Sequence, residues 1–577
     1  MIPTIIRPYL TCLFILCGVA VSVAQKIPFE LDPDSNSTFT YQELTDYYKA
    51  LTKNRDDVRI FEYGMTDVGK PLDLIVVSKD GVFDPVEIKK SGKAVVFINN
   101  GIHPGEPEGI DASMMFLRDV LIEQTLPEDL VLCIVPIYNI AGMLNRGTSR
   151  ANQNGPKAYG FRGSRQHYDL NRDFIKGDTR NSQVFQKMFV TWDPDVFLDT
   201  HTSNGADYQY VMTLIETHRD KLAPKLSSFM HAAFTLPLYE RMESAGYPMV
   251  PYVNTLGSTP ETGLVSFLET PRYSSGFAAL HHTIGYIPET HMWKSYRERV
   301  WSTYALIEYL VTLTDENRTQ LLQVRKETKE LAQQQTEFPV RWTLDTTRVD
   351  SIEFHGFRSG TKPSRISGKD RLFYDRSKPF TQNIPYYAHY IPEVTIRKPK
   401  AYIVPQAYDR LIDLMTRNGV QMRALQADTV LEVEMYRIVS YQSGRSAYEG
   451  HFPHSNVEVE TQHKAFPFYK GDWVIDTNQP AIRYIVETLE PQATDSFFNW
   501  NFFDGILSQK EYFSPYIFEE EAGQLLREDP ELRRRFEQEK RERKELYQDG
   551  RAQLDWIYKN SRYYEDTHLL YPVGRQF

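Results

Sequence analysis

Between about Thr40 and Thr314, short apolar runs alternate with stretches whose apolar residues recur at helical spacing, the pattern of an α/β domain on a largely parallel or mixed sheet. The runs predict strands over 72–77, 94–99, 130–137, 196–199, 208–214 and 284–288. The helical stretches 110–124 (IDASMMFLRDVLIEQ) and 294–312 each carry an apolar stripe able to cover a sheet face. After Asp315 the charged helical stretch ENRTQLLQVRKETKELAQQQTEF reads as a connector. Beyond it the pattern changes to short alternating runs (VDSIEFHGF, VTIRKP, KAYIVP, TVLEVEMYRIVSY) rich in Tyr, Val, Ile, Thr and Pro, which predicts a mostly β region with one helix near 407–418. The segment REDPELRRRFEQEKRERKELYQDGRAQLDWIYKN interleaves opposite charges at helical spacing, as a solvated helix does. The expected division is a leader over 1–24, a catalytic unit over 25–320, a β-rich accessory domain over 338–470 and a mixed, largely helical region over 471–577.

A chain of 577 residues exceeds what one ordinary core supports. Hydrophobic residues at 41% and charged residues at 25% are globular values, which exclude a disordered chain or a membrane bundle. The formal net charge of -10 argues against a general nucleic-acid partner, which needs an excess of Lys and Arg to displace counterions.

The first residues, MIPTIIRPYLTCLFILCGVAVSVAQ, place Arg7 ahead of an apolar stretch that ends in small residues before Gln25. This reads as a secretory signal cleaved after Ala24, and the uncharged run is short for a bilayer span. Bulky Leu16 argues against a lipid anchor on Cys17. The expected location is secreted or periplasmic, with no stable membrane span after signal removal. Cys12 and Cys17 leave with the signal, so the mature chain keeps Cys133 alone, as a buried small hydrophobe with no intramolecular disulfide.

The run AVVFINNGIHPGEPEGIDA sets His103 and Glu106 in a Pro/Gly loop between a predicted strand and a helix, three residues apart, within reach of one ion. In DPDVFLDTHTSNGADY, His201 also follows a short strand, 95 residues after Glu106. Strand ends of an open α/β sheet converge on one crevice, and a catalytic zinc takes three such ligands with one position left open. Asp199 is a candidate to orient an imidazole from behind. A third strand end carries Glu289, in TIGYIPETHMW, as a candidate general base, with Glu269 in VSFLETPRY a rival of similar position. Between the metal anchors, the segment PIYNIAGMLNRGTSRANQNGPKAYGFRGSRQHYDLNRDF holds five arginines, Arg146, Arg150, Arg162, Arg165 and Arg172, and such a cluster suits a carboxylate ligand.

HPGE (103–106), YDLNRDF (168–174) and LDTHT (198–202), in that order, resemble the motifs of the zinc carboxypeptidase family, peptidase family M14. GMTDVGKPLDLIVVS resembles the turn and strand that precede the metal motif there. The resemblance covers roughly residues 40–314. It implies a three-layer domain with a mixed central sheet, zinc held by His103, Glu106 and His201, and Asn171 and Arg172 on the C-terminal carboxylate of a peptide or protein substrate. It further implies Arg150, with Arg162 the alternative, beside the scissile carbonyl, Glu289 as base, and Tyr273 closing over the substrate. One departure is Gly105, where the family often has Arg. The expected function is a secreted zinc metallocarboxypeptidase. The alternatives are a zinc amidase or deacylase acting on cell-wall peptides, and a non-catalytic binding protein whose β-rich region does the work.

Overall fold

A computed structural model describes residues 26–32 and 36–577, so the leader and its cleavage position lie outside the described residues. The central sheet is built from β1 (Val58–Met65), β2 (Pro71–Ser78), β3 (Ala94–Asn99), β4 (Leu130–Val135), β5 (Val196–Asp199), β6 (His201–Ser203), β7 (Met212–Glu216) and β8 (Met249–Pro251). The two-residue β9 (Leu264–Val265) stands apart, and β10 (Ile284–His291) completes the sheet in the order β1-β2-β4-β3-β5-β10-β7-β8. Strands β4, β3, β5 and β10 run parallel, and β1, β2 and β7 are antiparallel to their inner neighbours, so the sheet is mixed.

Period-two alternation divides the core. Val96 and Ile98 of β3 face the helices Glu108–Glu123 and Tyr296–Gln334, whereas Val95 and Phe97 face Phe185, Met188 and Phe189 of the helix Arg180–Trp192. Helix, sheet and helix form three layers. Stretches 294–312 and the charged segment after Asp315, read as a helix and a connector, are one continuous helix, Tyr296–Gln334. Ser295 starts it with a capping box: its hydroxyl accepts the Glu298 N–H, and the Glu298 carboxylate accepts the Ser295 N–H at 3.0 Å.

The later strands fall into three sheets. Strand β11 (Glu337–Leu344) pairs with β14 (Tyr390–Arg397), and the long hairpin of β12 (Asp350–Pro363) and β13 (Asp370–Tyr387) adds β9 in parallel. The third sheet has the order β16-β19-β15-β20-β17-β18, from β15 (Ala401–Val404), β16 (Arg423–Ala424), β17 (Thr429–Ser443), β18 (His454–Phe468), β19 (Trp473–Asp476) and β20 (Gly574–Gln576). The expected helix near 407–418 is Asp409–Arg417, and the charged tail folds into short helices around Phe518, Leu532, Phe536 and Ile557. Cys133 is buried in β4, and among the described residues no helix is long and apolar enough to cross a membrane.

Candidate active site

His103 and Glu106 sit in the turn that follows β3. Gly101 opens that turn at φ +64°, and a Cβ there would meet the Ile137 side chain at 2.3 Å, so only glycine fits. His201 begins β6, one residue beyond β5, and its Cα pairs in register with Glu289 on β10. The strand ends therefore deliver all four side chains to one cleft of about 320 Å³.

The donor atoms converge. His103 Nδ1 lies 3.1 Å from His201 Nδ1, and Glu106 Oε2 lies 3.5 Å from the first and 3.3 Å from the second. Tetrahedral ligands at zinc bond lengths of roughly 2.0–2.1 Å are separated by about 3.3 Å, so the triangle is already the size such an ion requires. His103 Nε2 faces Asp169 Oδ1 at 2.7 Å, and His201 Nε2 faces Asp199 Oδ2 at 3.0 Å. With each Nε2 donating to its carboxylate, the tautomer that metal ligation needs, both Nδ1 atoms turn lone pairs towards each other and towards a carboxylate oxygen. Three acceptors aimed at one point with no donor between them suit a cation. Asn99 Nδ2 donates to Asp199 Oδ1 at 2.9 Å and fixes the carboxylate behind His201. Burial opposes the ionised form of Glu106, yet Arg150 and His103 hold its carboxyl well below the usual range.

Of the five arginines, three line the cleft. Arg150 Nη1 lies 2.9 Å from Glu106 Oε1, and Arg162 Nη1 lies 3.4 Å from the same oxygen while binding Asp169 Oδ2 through Nε and Nη2 at 3.0 and 2.8 Å. Arg172 lies 4.5 Å above the Tyr273 ring and donates to the Asn171 carbonyl. Asn171 Oδ1 in turn accepts the Ser274 N–H at 3.3 Å. Arg146 instead donates to the carbonyls of Phe39, Thr38 and Ala158, and Arg165 is exposed.

The two glutamates differ in their surroundings. Burial pushes the Glu289 carboxyl up to about 7, with His201 opposing the rise and Glu106 adding to it, and no hydrogen bond reaches that carboxylate among the described residues. Burial pushes Glu269 up to about 8, and its Oε2 accepts both the backbone N–H and the hydroxyl of Ser275. Both line the cleft, whose apolar wall is Ile215, Tyr252, Phe267 and Ile287.

No family model matches the chain. Carboxypeptidase 2 of Trichophyton rubrum is 20% identical over 432 residues, covering 71% of this chain and 74% of that protein. Carboxypeptidase 2 of Trichophyton equinum is 20% identical over 431 residues, with the same coverage. These relatives are carboxypeptidases, in keeping with the resemblance of HPGE, YDLNRDF and LDTHT to the zinc carboxypeptidase motifs. Among solved structures, a metallo-carboxypeptidase from Burkholderia cenocepacia is similar, with a TM-score of 0.37 and 12% identity over 48% of this chain and 70% of that one.

Gly105, the departure from the zinc carboxypeptidase motif, has a steric explanation in this chain. A Cβ at that position would meet the Gly160 carbonyl at 2.9 Å and Arg150 Cδ at 3.1 Å, so the Arg150 side chain fills the space beside Glu106. Two contributors escaped the sequence reading. Asp169, the partner of His103 and Arg162, stands inside the YDLNRDF motif but at no strand end, and an acidic residue beside Asn171 and Arg172 was the available signal. The apolar wall residues carried no signal at all, being ordinary core types in the sequence.

Proposed function

We propose that this chain is a zinc-dependent carboxypeptidase that releases the C-terminal residue of a peptide or protein. The observation that carries the reading is the convergence of His103 Nδ1, His201 Nδ1 and Glu106 Oε2 in the cleft that also holds Asn171, Arg172 and the unbonded Glu289. His103, Glu106 and His201 would hold the zinc, which when bound would supply Lewis acidity to polarise the scissile carbonyl and activate water. Glu289 takes a proton from the attacking water and delivers it to the leaving amine nitrogen. Arg150, with Arg162 beside it, steadies negative charge growing on the carbonyl oxygen. Asn171 and Arg172 hold the substrate's terminal carboxylate by charge-assisted hydrogen bonds, and Tyr273 covers it from the far side. The signal-like residues 1–24 support export to a secreted or periplasmic location.

The test couples metal analysis to paired peptides that differ only in a free or amidated C-terminus. One zinc per chain and turnover confined to the free acid are the expected results; cleavage that survives amidation would sink the assignment.

A further inference from the structure

The β-rich half of the chain touches the substrate side of the cleft at two points. The first is the tip of the β17–β18 hairpin, residues 444–453, which docks on the loop carrying Asn171 and Arg172. Glu449 Oε2 accepts the Asp169 backbone N–H at 2.7 Å. Glu449 holds φ at +50°, an unfavoured region for a residue with a side chain, and the next residue, Gly450, has φ +79° and sits where an added Cβ would meet the Tyr168 ring at 2.8 Å. The second point is Asp495, fully buried, which receives the Arg272 backbone N–H at 3.0 Å and its Nε at 2.7 Å. Arg272 also lies 4.9 Å above the Trp500 ring, and it directly precedes Tyr273.

Each contact ends one or a few residues from a group facing the substrate. Asp169 holds His103 and Arg162 and is followed closely by Arg172; Arg272 is followed by Tyr273; and Arg172 and Tyr273 stack on each other. Loops of this kind have no ladder of their own to fix them, so their position depends on such outside bonds.

We propose that the hairpin tip and the Asp495 segment are a positioning device that sets the Arg172–Tyr273 pair for the substrate carboxylate, with Glu449 its principal positioning residue. This rests on the carboxypeptidase reading for its kinetic consequence but not for its structural one. Because the bond is to the substrate-binding loop, its loss acts on binding before chemistry.

The experiment compares Glu449→Ala and Glu449→Gln with the parent in the full-length chain. Glu449 is only partly exposed and lies at a loop tip, so both variants are expected to keep the parent's Tm within a few degrees. Glu449→Ala is expected to raise KM for a peptide with a free C-terminus about tenfold, with kcat within about twofold. Glu449→Gln, whose amide oxygen accepts the same N–H, restores the parent KM. Amide exchange at Asp169 reads the device without turnover: protection is lost in the Ala variant and kept in the Gln variant. An unchanged KM in an active Glu449→Ala protein overturns the proposal, as does a fall in kcat and Tm with KM held. If the parent cleaves no such peptide, the carboxypeptidase reading fails and the exchange result alone decides: an Asp169 amide unprotected in the parent, or equally protected in the Ala variant, overturns the device.

Discussion

Glu289 and Glu269 are both buried acids at the ends of apolar runs, and hydrogen bonding separates them. Ser275 occupies one oxygen of Glu269 through its N–H and hydroxyl, which ties that side chain to the start of the helix Ser274–Leu280, while Glu289 stands free on the strand paired with His201. A general base must be able to turn between the water it deprotonates and the amine it protonates, and the free carboxylate can. Glu289→Gln is expected to lower kcat at least about a hundredfold while zinc content stays at the parent level, as steady-state kinetics and metal analysis will read. Parent-like turnover in that variant beside an inactive Glu269→Gln would reverse the roles. In the proposed role Glu289 acts only when ionised, so kcat/KM is expected to fall on the acid side, with a bound dication drawing that limb below the value of about 7 the carboxyl has by itself. His103, Glu106 and His201 were legible in sequence because each is a ligand type just past a strand. Glu289 was preferred to Glu269 through the family resemblance alone, because the two local patterns are alike and hide different hydrogen-bond partners.

Strands β3 and β5 match their sequence-read bounds to the residue, since each is a fully buried run with a sharp polar end. Strand β1 was missed because it is an edge strand with half-exposed positions, so no apolar run marks it. The expected strand 208–214 starts later, at Met212, because Tyr208 and Tyr210 turn away to pack with Phe354 of β12. The long helix Tyr296–Gln334 was read as two pieces because charge enters its pattern where it leaves the sheet, although its backbone continues. That helix also reaches the metal site. Arg299 Nε lies 2.7 Å from Glu108 Oε1, both side chains are buried, and Glu108 Oε2 accepts the hydroxyl of Thr202, the neighbour of His201. Truncating Arg299 to Met leaves the Glu108 charge buried without its partner, and a loss of about 3–5 kcal/mol is expected. Denaturant titration measures it, and a variant as stable as the parent would show that the Thr202 hydroxyl satisfies Glu108 unaided.

At the scale of the molecule, the accessory region does not hang from the catalytic layers as a separable module. One apolar cluster joins Leu74, Val95 and Phe97 of the central sheet and Phe189 of its covering helix to Tyr402, Met415, Tyr484 and Phe497 from beyond residue 400. Ion pairs seal the seam: Asp178, beyond the loop carrying Asn171 and Arg172, is bound by Arg410 and by His451 at 2.9 Å, and Arg272 is bound by Asp495. The change in composition near residue 338 was legible as a change of architecture, but periodicity along a chain reports which face of an element is apolar and cannot report which distant element covers it. A chain ending at Gln334 would therefore keep every metal ligand and the whole central sheet, yet expose the face that Tyr402, Tyr484 and Phe497 now cover. An uncovered apolar face of this kind drives association and loosens the layer beneath it. The expected outcome for residues 25–334 is an aggregating or loosely packed protein that binds ANS, lacks near-UV circular dichroism and retains little zinc. A soluble, monomeric fragment with one zinc and a cooperative thermal transition would show that the catalytic layers fold alone and that the shared core forms only afterwards.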